Sequence, residues 1–152
     1  MDVELQPEEG LIMPDQSAQI TVEALINAPI QRVWECWTGP AHIVNWNFAS
    51  DDWRCPHAEN DPRPGGKLNW RMEAKDGSFG FDFEGIYDEV IQHSTIKYHI
   101  IDGRKVILTF SEENGKTRVT ETFDPEDINS RELQQQGWQL ILNNFKKYSE
   151  SI

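Results

Sequence analysis

Residues 67–90 read KLNWRMEAKDGSFGFDFEGIYDEV. Leu68, Trp70, Met72 and Ala74 alternate with polar residues, the period of a strand with one buried face. Phe79, Phe81, Phe83, Gly85 and Tyr87 repeat the pattern on the far side of Asp76-Gly77. Asp-Gly is a strong hairpin signal, because both residues tolerate the positive φ that tight turns require. The stretch therefore predicts two antiparallel strands with their apolar faces on the same side.

The same punctuation recurs outward from this hairpin. TIKYHI (95–100) and KVILTF (105–110) flank Asp102-Gly103, while ILTFS (107–111) and TRVTETF (117–123) flank Asn114-Gly115. Strands joined in this way form one curved antiparallel sheet. Upstream, QITVEALI (19–26) alternates as a further strand. In NAPIQRVWECW (27–37), Ile30, Val33, Trp34 and Trp37 fall at the i, i+3, i+4, i+7 spacing of a short helix. Asn27 reads as its cap, with Pro29 in the first turn. Gly39-Pro40 ends it, and AHIVNWN (41–47) supplies one or two more helical turns. At the other end, SRELQQQGWQLILNNFKKYSE (130–150) places Trp138, Ile141, Leu142, Phe145 and Tyr148 within an arc of about 120°. That is a long amphipathic helix, with Ser130 as its cap. The order is a strand, two short helices, about six strands and a long helix. A curved sheet with one long helix across its concave face is an α+β solution. A helix bridging a curved sheet need not touch the whole floor, and the gap is a natural cavity.

Composition bounds the function. The 152 residues make one domain. Residues 1–17 are acidic, carry Pro7 and Pro14, and read as a loose tail with one apolar run, Leu11-Ile12-Met13. Residues 18–152 form the domain. A net charge of −12 argues against nucleic acid and anionic membrane surfaces as partners. Two cysteines are too few for a disulfide framework and read as reduced thiols. The N-terminus lacks the pattern of a signal peptide, and no apolar run is long enough to span a membrane. The expected location is the cytoplasm.

Four segments together resemble a known family: INAPIQRVWECWTGPAHIVNW (26–46), DPRPGGKLNWRMEAKDGS (61–78), FDFEGIYDEV (81–90) and GWQLILNNFKKY (137–148). Combined with the β-α-α-β6-α order, they are similar to the START-like superfamily. The nearer likeness is to homologues of the activator of heat-shock-protein ATPase, often labelled SRPBCC, over residues 18–150. The resemblance implies a helix-grip fold with a hydrophobic pocket between the C-terminal helix and the sheet. It does not imply one function, because the superfamily includes lipid carriers, hormone receptors, polyketide cyclases and co-chaperone domains.

Four of the six tryptophans lie between residues 34 and 53. Trp34 reads as core. Trp37, Trp46, Phe48 and Trp53 lie where the resemblance puts one end of the pocket, and are either core or pocket rim. Indole suits a rim, with a large apolar face and an N–H that needs a partner. Trp70, Met72, Phe81 and Phe83 are expected to point from the sheet toward the helix, as pocket floor or as core; Trp138, Ile141 and Phe145 lie on the apolar arc of that helix, with Gly137 at its flank. Arg63, between two prolines near the expected mouth, meets either a ligand carboxylate or an ion pair with Asp61 or Asp51. Gly137, costly inside a helix, marks either close helix–sheet approach or open volume.

Other candidates carry no chemistry. Asp82 and Glu84 lie on the face opposite the aromatics and read as solvent-facing, not as a catalytic pair. The four histidines and two cysteines lack metal-site spacing, so no metal is expected. NGKT (114–117) is a hairpin turn and PGGK (64–67) precedes a strand, so neither is a phosphate loop. No catalytic motif or cofactor signature is present. The leading expectation is a domain that binds an apolar or amphipathic small molecule. The alternatives are a co-chaperone-like module with a chaperone or other protein partner, and a cyclase-type enzyme using the same pocket.

Overall fold

The computed structural model describes residues 18–152. The expected tail at 1–17 lies outside the described residues. The elements run β1 (Ile20–Ile26), α1 (Ile30–Thr38), α2 (Pro40–Ile43), β2 (Trp53–Asn60), β3 (Lys67–Ala74), β4 (Gly80–Ile91), β5 (Thr95–Ile100), β6 (Lys105–Glu113), β7 (Lys116–Phe123) and α3 (Arg131–Ser151). The sheet order is β1-β7-β6-β5-β4-β3-β2, and every neighbouring pair is antiparallel. This is the expected β-α-α-β6-α helix-grip fold: a curled sheet with the C-terminal helix against it.

The turn chemistry holds the meander in register. Asn114 and Gly115 both take positive φ, 55° and 82°, and join Glu113 directly to Lys116 in a two-residue turn. Gly103, at φ 99°, closes the three-residue loop between Ile100 and Arg104. The Asp76-Gly77 turn is looser: Ala74 pairs with Phe79, leaving four residues in the loop. Gly85 has a different task. A Cβ there would sit 2.7 Å from the His99 carbonyl and 3.3 Å from the Tyr98 ring, so its absence lets Tyr98 lie across β4.

The six strands expected after the short helices are present; the one without a sequence signal is β2, WRCPHAEN, in a stretch that shows no alternation. Pro56 cannot donate to a ladder, and the pairing with β3 shifts between Arg54 and His57. Such a bulge is tolerated at a sheet edge, where β2 lies. The start of α1 does need correction. Pro29 occupies the cap position in extended conformation, with no side-chain cap bond. The Pro29 carbonyl accepts the first intrahelical bond, from the Val33 N–H at 3.1 Å, while its own ψ of 153° stays extended, so the helix begins after Pro29 rather than at it. The Asn27 N–H instead donates to Glu150 Oε2 at 2.7 Å.

The long helix is capped by Ser130, whose Oγ accepts from the Leu133 N–H at 3.1 Å. It runs along edge strand β1 and bonds to that strand's outward carbonyls. Gln135 Nε2 donates to Thr21 O (3.3 Å), Gln139 Nε2 to Glu23 O (3.1 Å) and Lys146 Nζ to Leu25 O (2.9 Å). Its other face buries Leu142 and Phe145 in the core formed by the inward residues of every strand and by Val33, Trp34, Cys36 and Trp37 of α1.

Candidate ligand cavity

The helix and the sheet floor do not meet everywhere. Between them lies a cavity of about 130 Å³. Its wall comes from seven places in the chain: Trp37 on α1; Trp46 and Asn47 after α2; Trp70 and Met72 on β3; Phe81 and Phe83 on β4; Tyr98 on β5; Glu121 on β7; and Trp138 and Ile141 on α3. Trp37, Trp46, Trp70, Tyr98 and Glu121 are buried, whereas Met72, Phe83, Trp138 and Ile141 are half-buried and Phe81 is exposed. The cavity therefore deepens from Phe81 toward the tryptophans.

Aromatic packing fixes this wall. Phe145 sits 4.9 Å from Trp37 and 4.8 Å from Trp46, edge-on to both, and the two indoles lie 4.7 Å apart. Trp46 is further held by its Nε1 bond to Cys36 O (2.9 Å), and Asn144 Nδ2 of α3 donates to Trp46 O (2.9 Å). Trp138 stacks on Phe123 at 3.8 Å and 10°, and Phe83 stacks on Trp70 at 5.8 Å. Rings that brace one another in this way have little freedom to collapse into the space they enclose.

Polar groups are few and unusual. Trp37 Nε1 and Trp70 Nε1 are buried without a hydrogen-bond partner among the described residues. Glu121 is only 5% exposed. Its inward position follows from the alternation of β7, in which Val119 and Phe123 on either side also face the core. No ion pair or hydrogen bond engages its carboxyl among the described residues. Burial alone pushes its pKa up to about 8. Tyr98 shares the wall, and burial together with the nearby Glu121 carboxyl raises its hydroxyl well above the usual tyrosine range.

Of the expected site residues, Trp37, Trp46, Trp70, Met72, Phe81, Phe83, Trp138 and Ile141 come together on the wall. Phe145 does not line it, being the brace behind Trp37 and Trp46. Phe48 packs against the core nearby, and Trp53 lies outside the cavity against Phe79 and Phe81. Arg63 also lies off the wall. Its side chain is 77% exposed and its Nε donates to Asp61 Oδ2 at 2.9 Å, so it forms the loop ion pair. Gly137 faces a shallow recess beside the mouth, which shares Phe81, Phe83 and Trp138 with the cavity. A Cβ there would meet nothing within 4 Å, so close helix–sheet approach does not explain this glycine. Asn47, Tyr98 and Glu121 were not among the expected residues. Glu121 could have been found: TRVTETF puts it in phase with Val119 and Phe123. Among the described residues, no group of three or more His, Cys, Asp or Glu side chains could hold a metal ion.

Residues 27–150 match the family model described as Activator of Hsp90 ATPase homolog 1-like protein. No curated protein matches the sequence. Solved structures do. The solution structure of an AHSA1-like protein from Aeromonas hydrophila is 43% identical, superposes with a TM-score of 0.82, and is matched over 88% of this chain and 92% of its own. A Cytophaga hutchinsonii protein is 47% identical with a TM-score of 0.74, over 90% and 93% of the two chains. A Chromobacterium violaceum protein at 21% identity (TM-score 0.78, 87% and 97% covered) shares the fold.

Proposed function

Given that the chain belongs to the Activator of Hsp90 ATPase homolog 1-like family, we propose that it is a small-molecule binding domain whose site is the cavity between α3 and the sheet. The observation that carries this reading is the braced aromatic wall around about 130 Å³ with a lone carboxyl inside. An interior is normally filled to crystal-like density, and a buried acid normally has a partner. A cavity retained beside a Glu121 that has no partner among the described residues runs against both tendencies, and a ligand would satisfy both. The size suits a single ring or a short branched chain, since a cavity of about 150 Å³ accommodates benzene.

Ile141→Trp tests the site. The indole should fill the space from the helix side and leave the fold intact. Titration of the parent with small apolar compounds should give saturable changes in tryptophan emission, which Ile141→Trp should lose. Saturable binding that survives in a folded Ile141→Trp protein places the site elsewhere.

Glu121 also favours a second reading. An acid that retains its proton near neutral pH is suited to general acid–base catalysis on a molecule held beside it. In that case Glu121→Gln should abolish turnover of a bound compound while its binding persists.

A further inference from the structure

We propose that the cavity selects small apolar amines, bound as ammonium ions between the Glu121 carboxylate and the faces of the surrounding aromatic rings. This inference rests on the binding reading above and names the ligand class. Three observations carry it. The first is the charge of the wall. Among the described residues its ionisable side chains are Glu121 and Tyr98, with no Lys, Arg or His. Arg63, the expected partner for a ligand carboxylate, lies off the wall and is bonded to Asp61. Arg104 lines the adjoining recess, from which its charge reaches Tyr98, but its Nε is engaged by Asp102 at 2.9 Å. An anionic ligand would therefore meet a carboxyl and, among the described residues, no cationic side chain on the wall. A hydrocarbon would leave that carboxyl as it is, buried without a partner among the described residues.

The second observation is the ring geometry. Trp37, Trp46, Trp70, Phe83 and Trp138 line the space, and neighbouring rings among them lie 4.7 to 6.5 Å apart between centroids. Indole faces attract a cation more strongly than other aromatic faces, and desolvation strengthens the attraction. An ammonium ion here gains the carboxylate and the rings together, whereas a neutral hydroxyl gains hydrogen bonds to Glu121 and to the unpaired indole N–H groups of Trp37 or Trp70 but no charge pairing. The third is the field of the molecule. A net charge of −12 concentrates cations at the surface and raises their rate of encounter. The amine arrives protonated, Glu121 ionises as it pairs, and its proton passes to solvent. The volume limits the body of the ligand to about one ring.

An isosteric series decides the class. Benzylamine, benzyl alcohol, toluene and benzoate carry a cation, a hydroxyl, a methyl and an anion on the same ring. Calorimetric titration of the parent at about pH 8 should give benzylamine an affinity at least about tenfold above benzyl alcohol and toluene, with no saturable benzoate binding. Glu121→Gln, nearly isosteric, should remove that preference and retain toluene. Benzyl alcohol binding as tightly as benzylamine overturns the proposal, as does an amine preference that persists in Glu121→Gln. The parent series decides the question alone if the variant fails to fold. Toluene binding without amine preference refutes only the ligand class. If no member of the series binds, the small-molecule reading falls and takes this inference with it.

Discussion

Glu121 has a measurable effect on stability. Its carboxyl has an ordinary value of 4.5 and is held at about 8 in the fold. Below the ordinary value both folded and unfolded chains are protonated, and the group contributes nothing that varies with pH. Between these values the unfolded chain ionises while the folded chain keeps its proton. Stability is therefore lost as pH rises through this window, and the loss is complete above the folded value. Tyr98, the other titratable group on the wall, stays neutral throughout, so it does not offset the effect. Depressed carboxyls such as Glu73 and Glu113 act with the opposite sign, but they are common to parent and variant. Glu121→Gln should accordingly gain about 3 kcal/mol on the parent between pH 5 and pH 8 in denaturant titrations. A constant difference across that range would mean that Glu121 is ionised in the fold. The residue was legible in TRVTETF, where period-2 alternation leaves no other face for it. A glutamate ordinarily points to water, and nothing in the sequence shows that the opposite wall leaves room for it. Arg63 shows the converse: its chemistry was legible and its position was not, because a loop between prolines has no period to count.

At the level of elements, the hairpins and the helices were readable because each has a local cause: Gly103, Asn114-Gly115, the Gly39-Pro40 break and the Ser130 cap. β2 was not readable. Its pairing depends on β3 offering an edge, and Pro56 with the shift beside it erases alternation. Gly137 falls between these cases. The sequence marks it as anomalous, and the structure supplies empty space rather than a tight contact. Gly137→Ala should therefore recover the helical propensity without a clash and stabilise the protein by up to about 1 kcal/mol. Gly85→Ala offers the contrast, since its Cβ would press on the His99 carbonyl. Thermal melts of the two variants should move in opposite directions. A Gly137→Ala protein that melts below the parent would show that the recess needs the missing side chain for more than space.

For the molecule as a whole, charge rather than packing sets the response to solvent. The ion pairs are on the surface, as in Arg54–Glu73 and Lys146–Glu150, and pairs of this kind contribute little. A net charge of −12 repels itself, and the compact state feels this more than the unfolded chain. Raising sodium chloride from about 0.02 M to about 0.3 M shortens the screening length several-fold and should raise Tm. A Tm that falls over that range would show that the surface pairs outweigh the net repulsion. The helix laid along β1 has a consequence of another kind. A sheet that is not closed into a barrel has two borders, and either can recruit a strand from a neighbouring chain. Here Gln135, Gln139 and Lys146 occupy the carbonyls of one border, and Pro56 and the shifted register spoil the other. Neither border is a flat template, so the protein is guarded against edge-to-edge aggregation while its sheet stays open enough to hold a cavity.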